Sequence, residues 1–465
     1  MKFYAKHITE PLLDFGDGYR HVDTKTGISL YGPYDYNQEQ SIKQVKAGII
    51  GTNRSIEGTL EWFERCRNPI PAKESRLSNI YQNFSGFNKD NSFRCELVAS
   101  DSWHRYISNK TISDIEKLDH NDAIKCFVLV LVDELKTMLE SYPLDLIICA
   151  LPKNILESLT KSKKRESKPH NLRDRIKAAF LPFGKPSQII LPYTYNTQEN
   201  GPRNRQDDAT IAWNLSAAAY YKAGGTPWRL NITRSDIKTC FIGISFYRNA
   251  NDSFLNTSMA QVFNQRGEGV VVRGASVRLS RRLRTPHLSR DQSFELLKSA
   301  LDVYKKEHFH MPARIVLHKS SYYTDEEKEG FNSACDSLGI QIRDYLSIKY
   351  SDVKAFRHGD YPVLRGTTIK LSEEDFVLYT NGSIPYYKTY PGLYIPHPIQ
   401  LRIAQADFTW EELASEILAL SKMNWNNTNF GNNEPVTLEA SRGVGYVLKH
   451  MDNTAYIPPQ YRYYM

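Results

Sequence analysis

Apolar and polar residues alternate in blocks along the first half of the chain, and the blocks predict strands separated by helices. Residues 126–132 and 144–150 are largely apolar runs that predict buried strands, and residues 189–192 predict a shorter one. Residues 133–140 and 171–179 have a helical pattern. Apolar strands that alternate with helices are typical of a parallel sheet covered on both faces, so we expect a Rossmann-like α/β layer over roughly residues 90–230.

The pattern restarts after Trp228, and residues 240–246, 270–272 and 314–318 predict three strands of a second sheet. Two amphipathic helices accompany them, one beginning at Ser289 and one at the capping box Thr409 to Glu412. We therefore expect two α/β domains. Residues 1–234 would form an N-terminal segment and the first domain, and residues 235–465 the second.

The composition is that of a soluble globular protein, with 41% hydrophobic and 24% charged residues. The net charge of +8 is compatible with a groove for a polyanion or with a solubilising surface. Six cysteines without a CxxC pair predict buried reduced thiols rather than disulfides or zinc. The first residues lack the pattern of a leader, and the longest apolar run is about a third of a bilayer span, so we expect a cytoplasmic protein without a membrane segment.

Four polar residues in the first domain suggest a site for an anion. Arg173 and Lys177 are four apart, so on a helix they project from one face. Lys222 ends a helix of small residues that stops at Gly224-Gly225. Together with the amide of Gln188, these cations could hold a terminal phosphate. Arg173 and Lys177 taken alone favour a solvated helix face, and the combination with Gln188 and Lys222 favours the anion site instead.

Two motifs identify a resemblance. Tyr221-Lys222-Ala-Gly-Gly-Thr-Pro-Trp228 looks like the segment that joins the MID and PIWI domains of the Argonaute family, and Asn424-Trp-Asn-Asn-Thr-Asn-Phe430 with the following Glu434-Pro-Val-Thr-Leu438 is similar to the last PIWI strand and helix. The chain resembles in particular the short prokaryotic Argonautes, which contain only MID and PIWI. The match covers nearly the whole sequence.

The resemblance implies a Rossmann-like MID domain with a pocket for the 5′ end of a guide, followed by an RNase H-like PIWI domain. Arg173, Lys177, Gln188 and Lys222 match the residues that bind the 5′-phosphate. Some family members also hold a divalent metal there through the terminal carboxylate. In this chain, Mg²⁺ bound by the Met465 carboxylate with Gln188 is the corresponding expectation.

The resemblance also implies where a PIWI nuclease would bind its two Mg²⁺ ions, and the carboxylates are missing. The corresponding positions have Ser245, Ser320 and Arg442. Serine is a poor Mg²⁺ ligand and arginine repels the ion, so we expect no catalytic residues and no cleavage. Glu268 could match a remaining glutamate, but one carboxylate cannot organise two metals.

Other acidic residues leave an alternative open. Near the second position lies a predicted helix start, where acids interact with the helix dipole. Its acidic residues are Asp325, Glu326, Glu327 and Glu329. If some of them replace the missing ligands, the chain would be an active guide-directed nuclease, and its Mg²⁺-dependent cleavage would be sensitive to substitution of Glu268 or Asp325.

The densest arginine stretch of the chain lies between two predicted elements of the second domain. These side chains are candidates for phosphate contacts with a guide–target duplex, with a charged surface loop as the alternative. The residues are Arg266, Arg273, Arg278, Arg281, Arg282 and Arg284.

The resemblance implies a subunit that binds a guide, expected to be RNA, and recognises complementary single-stranded DNA in prokaryotic defence. A separate APAZ-containing protein with a TIR, sirtuin-like or nuclease effector would then be activated, in a heterodimer or a larger assembly. A plain α/β nucleotide-binding enzyme is a further alternative, but no GxGxxG motif follows a predicted strand.

Overall fold

The computed structural model describes residues 4–160, 169–196, 205–231, 237–248, 255–263, 269–277, 285–359, 362–392, 394–452 and 455–465. The strands are β1 (Tyr4–His7), β2 (Leu13–Asp14), β3 (Arg20–His21), β4 (Gln44–Gly51), β5 (Glu96–Val98), β6 (His104–Tyr106), β7 (Leu146–Ala150), β8 (Ser187–Ile190), β9 (Arg229–Leu230), β10 (Thr239–Arg248), β11 (Leu255–Phe263), β12 (Gly269–Val277), β13 (Arg314–Lys319), β14 (Ile342–Tyr350), β15 (Thr367–Lys370), β16 (Asp375–Leu378) and β17 (Ile399–Gln405). The helices are α1 (Thr24–Tyr31), α2 (Asn53–Cys66), α3 (Asn109–Glu116), α4 (His120–Ser141), α5 (Lys153–Thr160), α6 (Pro169–Phe180), α7 (Pro192–Tyr195), α8 (Asp208–Lys222), α9 (Arg290–His308), α10 (Asp325–Ser337), α11 (Trp410–Leu420) and α12 (Val436–Leu448).

A parallel sheet forms the centre of the first half of the chain. Its order is β5-β4-β7-β8, with β6 also paired to β4, and each pair is parallel. On β7, Leu146 and Ile148 pack into a core with α2 and α8, whereas Ile147 and Cys149 pack on the other face with α4 and α6. Because both faces are covered, the strand is a continuous apolar run, and the predicted Rossmann-like layer is confirmed.

One predicted strand of this layer was wrong. Residues 126–132 lie in the middle of α4, a 22-residue helix. Its buried residues Phe127, Leu131 and Leu135 recur every four positions, whereas Leu129 is 63% exposed. A run of seven apolar residues does not distinguish a strand from a helix. The four-residue spacing of the buried positions over the longer segment does, and it indicates a helix. The missing strand is β4, which lies in the middle of the sheet.

The second half of the chain is built on a mixed sheet of nine strands. Its order is β1-β15-β16-β17-β14-β13-β10-β11-β12, in which β10, β13 and β14 are parallel and the remaining pairs are antiparallel. The N-terminal strand β1 therefore belongs to this sheet. Cys240, Ile242 and Ile244 of β10 pack with α9 and α10, whereas Phe241 belongs to the core that includes α11 and α12.

Local sequence signals place the helices that cover the sheet. The capping boxes at Ser289 and Thr409 open α9 and α11. In each, the side chain of the residue three positions on accepts a hydrogen bond from the backbone N–H of the cap residue.

A small antiparallel sheet of β3, β2 and β9 connects the N-terminal segment to the residues that follow α8. All six cysteines have free thiols, five of them buried. Among the described residues, the helices lack the length and apolar character needed to cross a membrane.

Candidate functional site

The four residues predicted to bind phosphate converge where α6, β8 and the end of α8 meet. Arg173 and Lys177 are one turn apart on α6, Gln188 lies on β8, and Lys222 is the last residue of α8. Nζ of Lys222 donates to Oε1 of Gln188 at 2.5 Å, and Nζ of Lys177 donates to the carbonyl oxygen of Ser187. We call this cluster the α6–α8 pocket.

Two of its cations are almost completely buried, since Lys177 and Lys222 are each 2% exposed. Burial, together with the smaller effect of the Arg173 guanidinium, lowers the pKa of Lys222 to about 7. The pKa of Lys177 is well below its ordinary value because of burial and the nearby charges of Lys222 and Arg173. Three basic groups thus lie close together, and their mutual repulsion disfavours the charged forms of the two buried lysines unless an anion is bound.

Carboxylates do little to relieve this repulsion. Among the described residues, neither Lys177 nor Lys222 has a carboxylate within ion-pair distance. The nearby Asp174 lies 3.2 Å from Nη1 of Arg173 and 3.9 Å from Nζ of Lys449. Buried charges are costly unless paired, so an excess of buried positive charge indicates a site for an anion.

The two segments that suggested the resemblance pack against each other beside this pocket. The ring of Tyr221 stacks on Trp425 with 4.7 Å between their centroids. Nε1 of Trp425 donates to the carbonyl oxygen of Trp228 at 3.1 Å, and Nε1 of Trp228 donates to that of Lys422 at 3.0 Å. These contacts fasten the end of the first α/β unit to the second one.

The last residues of the chain close one side of the pocket. Nη2 of Arg173 makes a long contact of 3.5 Å with the carbonyl oxygen of Tyr464, and the side chain of Met465 is buried. After α8 the chain turns at Gly224 with φ of +108°, as the sequence predicted. A Cβ at this position would lie 3.0 Å from Nη1 of Arg462.

The donor set of the pocket suits a phosphate better than Mg²⁺. The side-chain oxygen of Gln188 already accepts from Lys222, and two buried ammonium groups would repel a divalent cation. Within the described ranges, the structure contains no cluster of three or more His, Cys, Asp or Glu side chains that could hold a metal. Mg²⁺ bound by the Met465 carboxylate stays a prediction that these donors do not favour.

Two of the three positions expected to lack catalytic carboxylates are neighbours in the sheet. The register pairs Ile244 of β10 with Lys319, the last residue of β13, so Ser245 and Ser320 are the next residues along each chain segment. Ser245 still lies within β10, opposite Ser258 of β11. Ser245 is buried. Arg442 lies on α12 and forms an ion pair with Glu434 just before that helix.

Helix α12 crosses this part of the sheet in close contact. A Cβ on Gly243 would lie 2.0 Å from the backbone oxygen of Thr437, so only glycine permits the approach. The neighbouring strand is attached to the same turn of α12, because Nδ1 of His318 lies 2.8 Å from Oγ1 of Thr437. Burial and the Arg314 charge lower the pKa of His318 to about 3, so this imidazole is neutral.

A buried ion pair at the end of β13 was not predicted. Nζ of Lys319 lies 2.5 Å and 2.7 Å from the two carboxylate oxygens of Glu327, and both side chains are fully buried. Glu327 also accepts hydrogen bonds from the backbone N–H groups of Leu288 and Thr324. Glu327 lies in the first turn of α10, at the helix start that the sequence predicts. The Thr324 to Glu327 capping box was its visible signal, but the pairing with Lys319 required the fold.

The other three acidic candidates at this helix start, Asp325, Glu326 and Glu329, are exposed. Asp325 forms an ion pair of 2.7 Å with Lys328 in the first turn of α10.

Among the predicted duplex-binding arginines, Arg273 lies on β12, where its Nη1 donates to the carbonyl oxygen of Asp452 at 2.9 Å. The other candidates lie outside the described residues: Arg266, Glu268, Arg278, Arg281, Arg282 and Arg284.

No family model and no curated protein matches the sequence. Solved structures match it across 98–99% of the chain. Clostridium butyricum Argonaute bound to a guide DNA and a 19-mer target DNA has a TM-score of 0.69, 16% identity and 55% of its own length covered. Drosophila Piwi has a TM-score of 0.63, 14% identity and 56% coverage. A. aeolicus Argonaute has a TM-score of 0.60, 18% identity and 55% coverage.

The chain spans about half the length of these solved structures. At such low identity the similarity concerns the fold. The parallel sheet of the first half and the mixed sheet of the second are the two α/β units of this fold. The motif of residues 221–228 ends the first unit, and the motif of residues 424–430 lies in the second. The protein therefore has an Argonaute-like fold with the MID–PIWI architecture.

Proposed function

We propose that this protein binds a guide nucleic acid, expected to be RNA, by its 5′-phosphate in the α6–α8 pocket. The observation that carries the proposal is the excess of positive charge in that pocket, where Lys177 and Lys222 are buried without a carboxylate partner. A phosphate would supply the missing negative charge and several hydrogen-bond acceptors.

Each residue of the pocket has a distinct part in this binding. Lys222 and Lys177 would donate to phosphate oxygens from the closed side, and Arg173 from the more accessible side. The Nε2 of Gln188 now donates to the carbonyl oxygen of Ile189 at 3.1 Å, which leaves its second N–H for a phosphate oxygen. Its Oε1 meanwhile holds the Lys222 ammonium in place.

The guide would then select complementary single-stranded DNA by base pairing, while the protein contacts the phosphate backbone. Clostridium butyricum Argonaute, which has this fold, was solved with a guide DNA and a target DNA. For the present chain, Arg273 together with Arg266, Arg281 and Arg282 is proposed to contact the duplex.

We propose further that the chain does not cut its target. Ser245, Ser320 and Arg442 would not hold two Mg²⁺ ions. Activity is expected in a separate APAZ-containing effector of the cytoplasm, of the TIR, sirtuin-like or nuclease type, which the target-bound complex activates in defence against plasmids or phage. This last step follows from the resemblance of the sequence motifs.

One experiment separates binding from cleavage. The purified chain is loaded with a 5′-phosphorylated RNA guide and then mixed with Mg²⁺ and labelled complementary single-stranded DNA. Retention of intact DNA supports the proposal. Cut DNA would contradict the inactive PIWI site, and Glu268 and Asp325 would then be substituted to find the displaced ligands. If no guide is retained, the loading is repeated with the neighbouring gene's product.

The pocket itself is tested by the double variant Lys222→Ala with Gln188→Ala. We expect its affinity for a 5′-phosphorylated guide to fall by roughly tenfold or more, because charge-assisted hydrogen bonds are lost. The control is Lys110→Ala, which removes an exposed lysine of α3 far along the chain from the pocket residues. Equal affinity of the double variant and the control would refute the assignment.

A further inference from the structure

A second polar cavity lies where the N-terminal segment meets the second α/β unit. It has a volume of about 280 Å³ and is lined by Lys25, Asn381, Tyr387, Tyr390, Asn429 and Phe430, among others. We call it the junction pocket. Lys25 comes from the first turn of α1, and the other five residues come from the segments that follow β16 and α11.

Lys25 is the unusual member of this lining. Its side chain is 8% exposed, and among the described residues it forms neither a hydrogen bond nor an ion pair. Burial lowers its pKa, and Asp23 and Asp207 offset this only in part. A lysine amine that borders a cavity and lacks a partner is a binding group for an anion.

The carboxylate near Lys25 makes its hydrogen bonds elsewhere. Asp23 is the N-cap of α1, where it accepts from the backbone N–H of Thr26 at 2.8 Å, and it also accepts from Nε2 of Gln82 at 3.0 Å. Arg365, the other cation of the lining, pairs with Glu10 at 3.0 Å, and Glu10 also pairs with Lys422 at 2.9 Å. Among the described residues of the lining, Lys25 is therefore a cation without a direct ion pair, and the charge of Asp23 acts on it only through space.

The rest of the lining suits a planar, polar ligand. Tyr387 and Phe430 are buried with 5.1 Å between their ring centroids, and Nζ of Lys422 lies 4.3 Å from the centroid of Phe430. The half-buried Tyr390 is therefore the ring among these three that is open to a base. Asn429 is exposed at the cavity and its side-chain amide can pair with the edge of a base. Aromatic faces bind nucleobases by stacking with little sequence preference.

We propose that the junction pocket binds a single nucleotide, with its phosphate on the Lys25 amine and its base among the aromatic rings and Asn429. The cavity is smaller than most drug-sized ligand sites, which fits one nucleotide rather than a dinucleotide. The nucleotide is either a free nucleoside monophosphate or one unit of a bound strand. Only the second source depends on the proposed function.

The test compares Lys25→Met, which keeps the length of the side chain, with Lys110→Ala as the control for loss of a positive charge. Both are made in the background of Lys222→Ala with Gln188→Ala, so that the α6–α8 pocket does not contribute. Calorimetric titrations use AMP, adenosine, and a single-stranded RNA or DNA with a 5′-hydroxyl end. Thermal unfolding confirms that each variant is folded.

If the site takes free nucleotides, AMP binds roughly tenfold more weakly to Lys25→Met than to the control, while adenosine is unaffected. If it takes a unit of a strand, the same difference appears with the 5′-hydroxyl oligonucleotide and not with AMP. Affinities that differ by less than about twofold for every probe would overturn the proposal, since one charge-assisted contact is worth more than this. That result would not bear on the proposed 5′-phosphate binding in the α6–α8 pocket, because Lys222 and Gln188 are replaced in every variant of this test.

Discussion

Buried lysines occur in two regions of the molecule under opposite conditions. In the α6–α8 pocket, Lys177 and Lys222 lack a carboxylate partner within ion-pair distance among the described residues. Burial and the Arg173 charge lower the pKa of both, and Lys222 also lowers the pKa of Lys177. At the end of β13, Lys319 is equally buried but lies against the carboxylate of Glu327. The difference indicates that the buried lysines of the first region need the negative charge of a ligand, whereas Lys319 already has its counter-charge within the chain.

The physical reason is the cost of removing a charge from water. An ammonium group in the interior is tolerated when a carboxylate and hydrogen bonds replace its hydration. Glu327 provides this replacement for Lys319 at the end of β13. In the α6–α8 pocket the replacement must come from outside the chain.

The largest effect is expected from breaking the complete pair. Glu327→Gln would leave the Lys319 ammonium buried without its counter-charge, so we expect the free energy of unfolding to fall by about 3–5 kcal/mol. Urea unfolding measures the change. The double variant Lys319→Met with Glu327→Gln removes the unpaired charge and should recover a large part of the loss. If the single variant is as stable as the wild type, the pair is not structural.

A smaller effect is expected from pH on the α6–α8 pocket. Lys222, with a pKa of about 7 in the free protein, must be charged to bind phosphate, and bound phosphate raises that pKa. Affinity should therefore fall as pH rises above 7, by up to about tenfold per unit. The phosphate is already a dianion in this range, since its second pKa is about 6.

Equilibrium binding at pH 7, 8 and 9 tests this dependence with 5′-phosphorylated and 5′-hydroxyl guides. Only the phosphorylated guide should show the loss. A loss of the same size with both guides would mean that the titrating group does not contact the 5′-phosphate.

The smallest effect is expected on the stability of the pocket itself. Lys222→Met removes a buried charge whose desolvation opposes folding, but it also removes the hydrogen bond to Gln188, which is worth about 1 kcal/mol. These terms have opposite signs, so we expect the free energy of unfolding to stay within about 1 kcal/mol of the wild type or to rise. A large loss, similar to that of Glu327→Gln, would show that both regions are structural.

Sequence patterns predicted most of the architecture, and the exceptions have a definite cause. The strands at residues 144–150, 240–246 and 314–318 were found because runs buried on both faces are apolar. Residues 126–132 were assigned to a strand because seven apolar residues satisfy either periodicity. The central strand β4 was missed, and its start at Gln44 lies well before the expected layer.

The candidate site, like the fold, could be predicted from the sequence only in part. The sequence by itself determined that Arg173, Lys177, Gln188 and Lys222 are chemically able to bind a phosphate, because charge and donor capacity belong to residue types. It also determined that Ser245, Ser320 and Arg442 are not carboxylates. Such statements need no coordinates.

Only the tertiary structure decided which charges are compensated. Lys222 and Lys319 are both lysines that end an element, and their local sequences do not reveal that one meets Gln188 and the other meets Glu327. The sequence around Lys25 likewise does not reveal that this lysine is buried beside a cavity. Burial and pairing depend on residues far apart in the chain, so the fold alone distinguishes a structural charge from one that is available to a ligand.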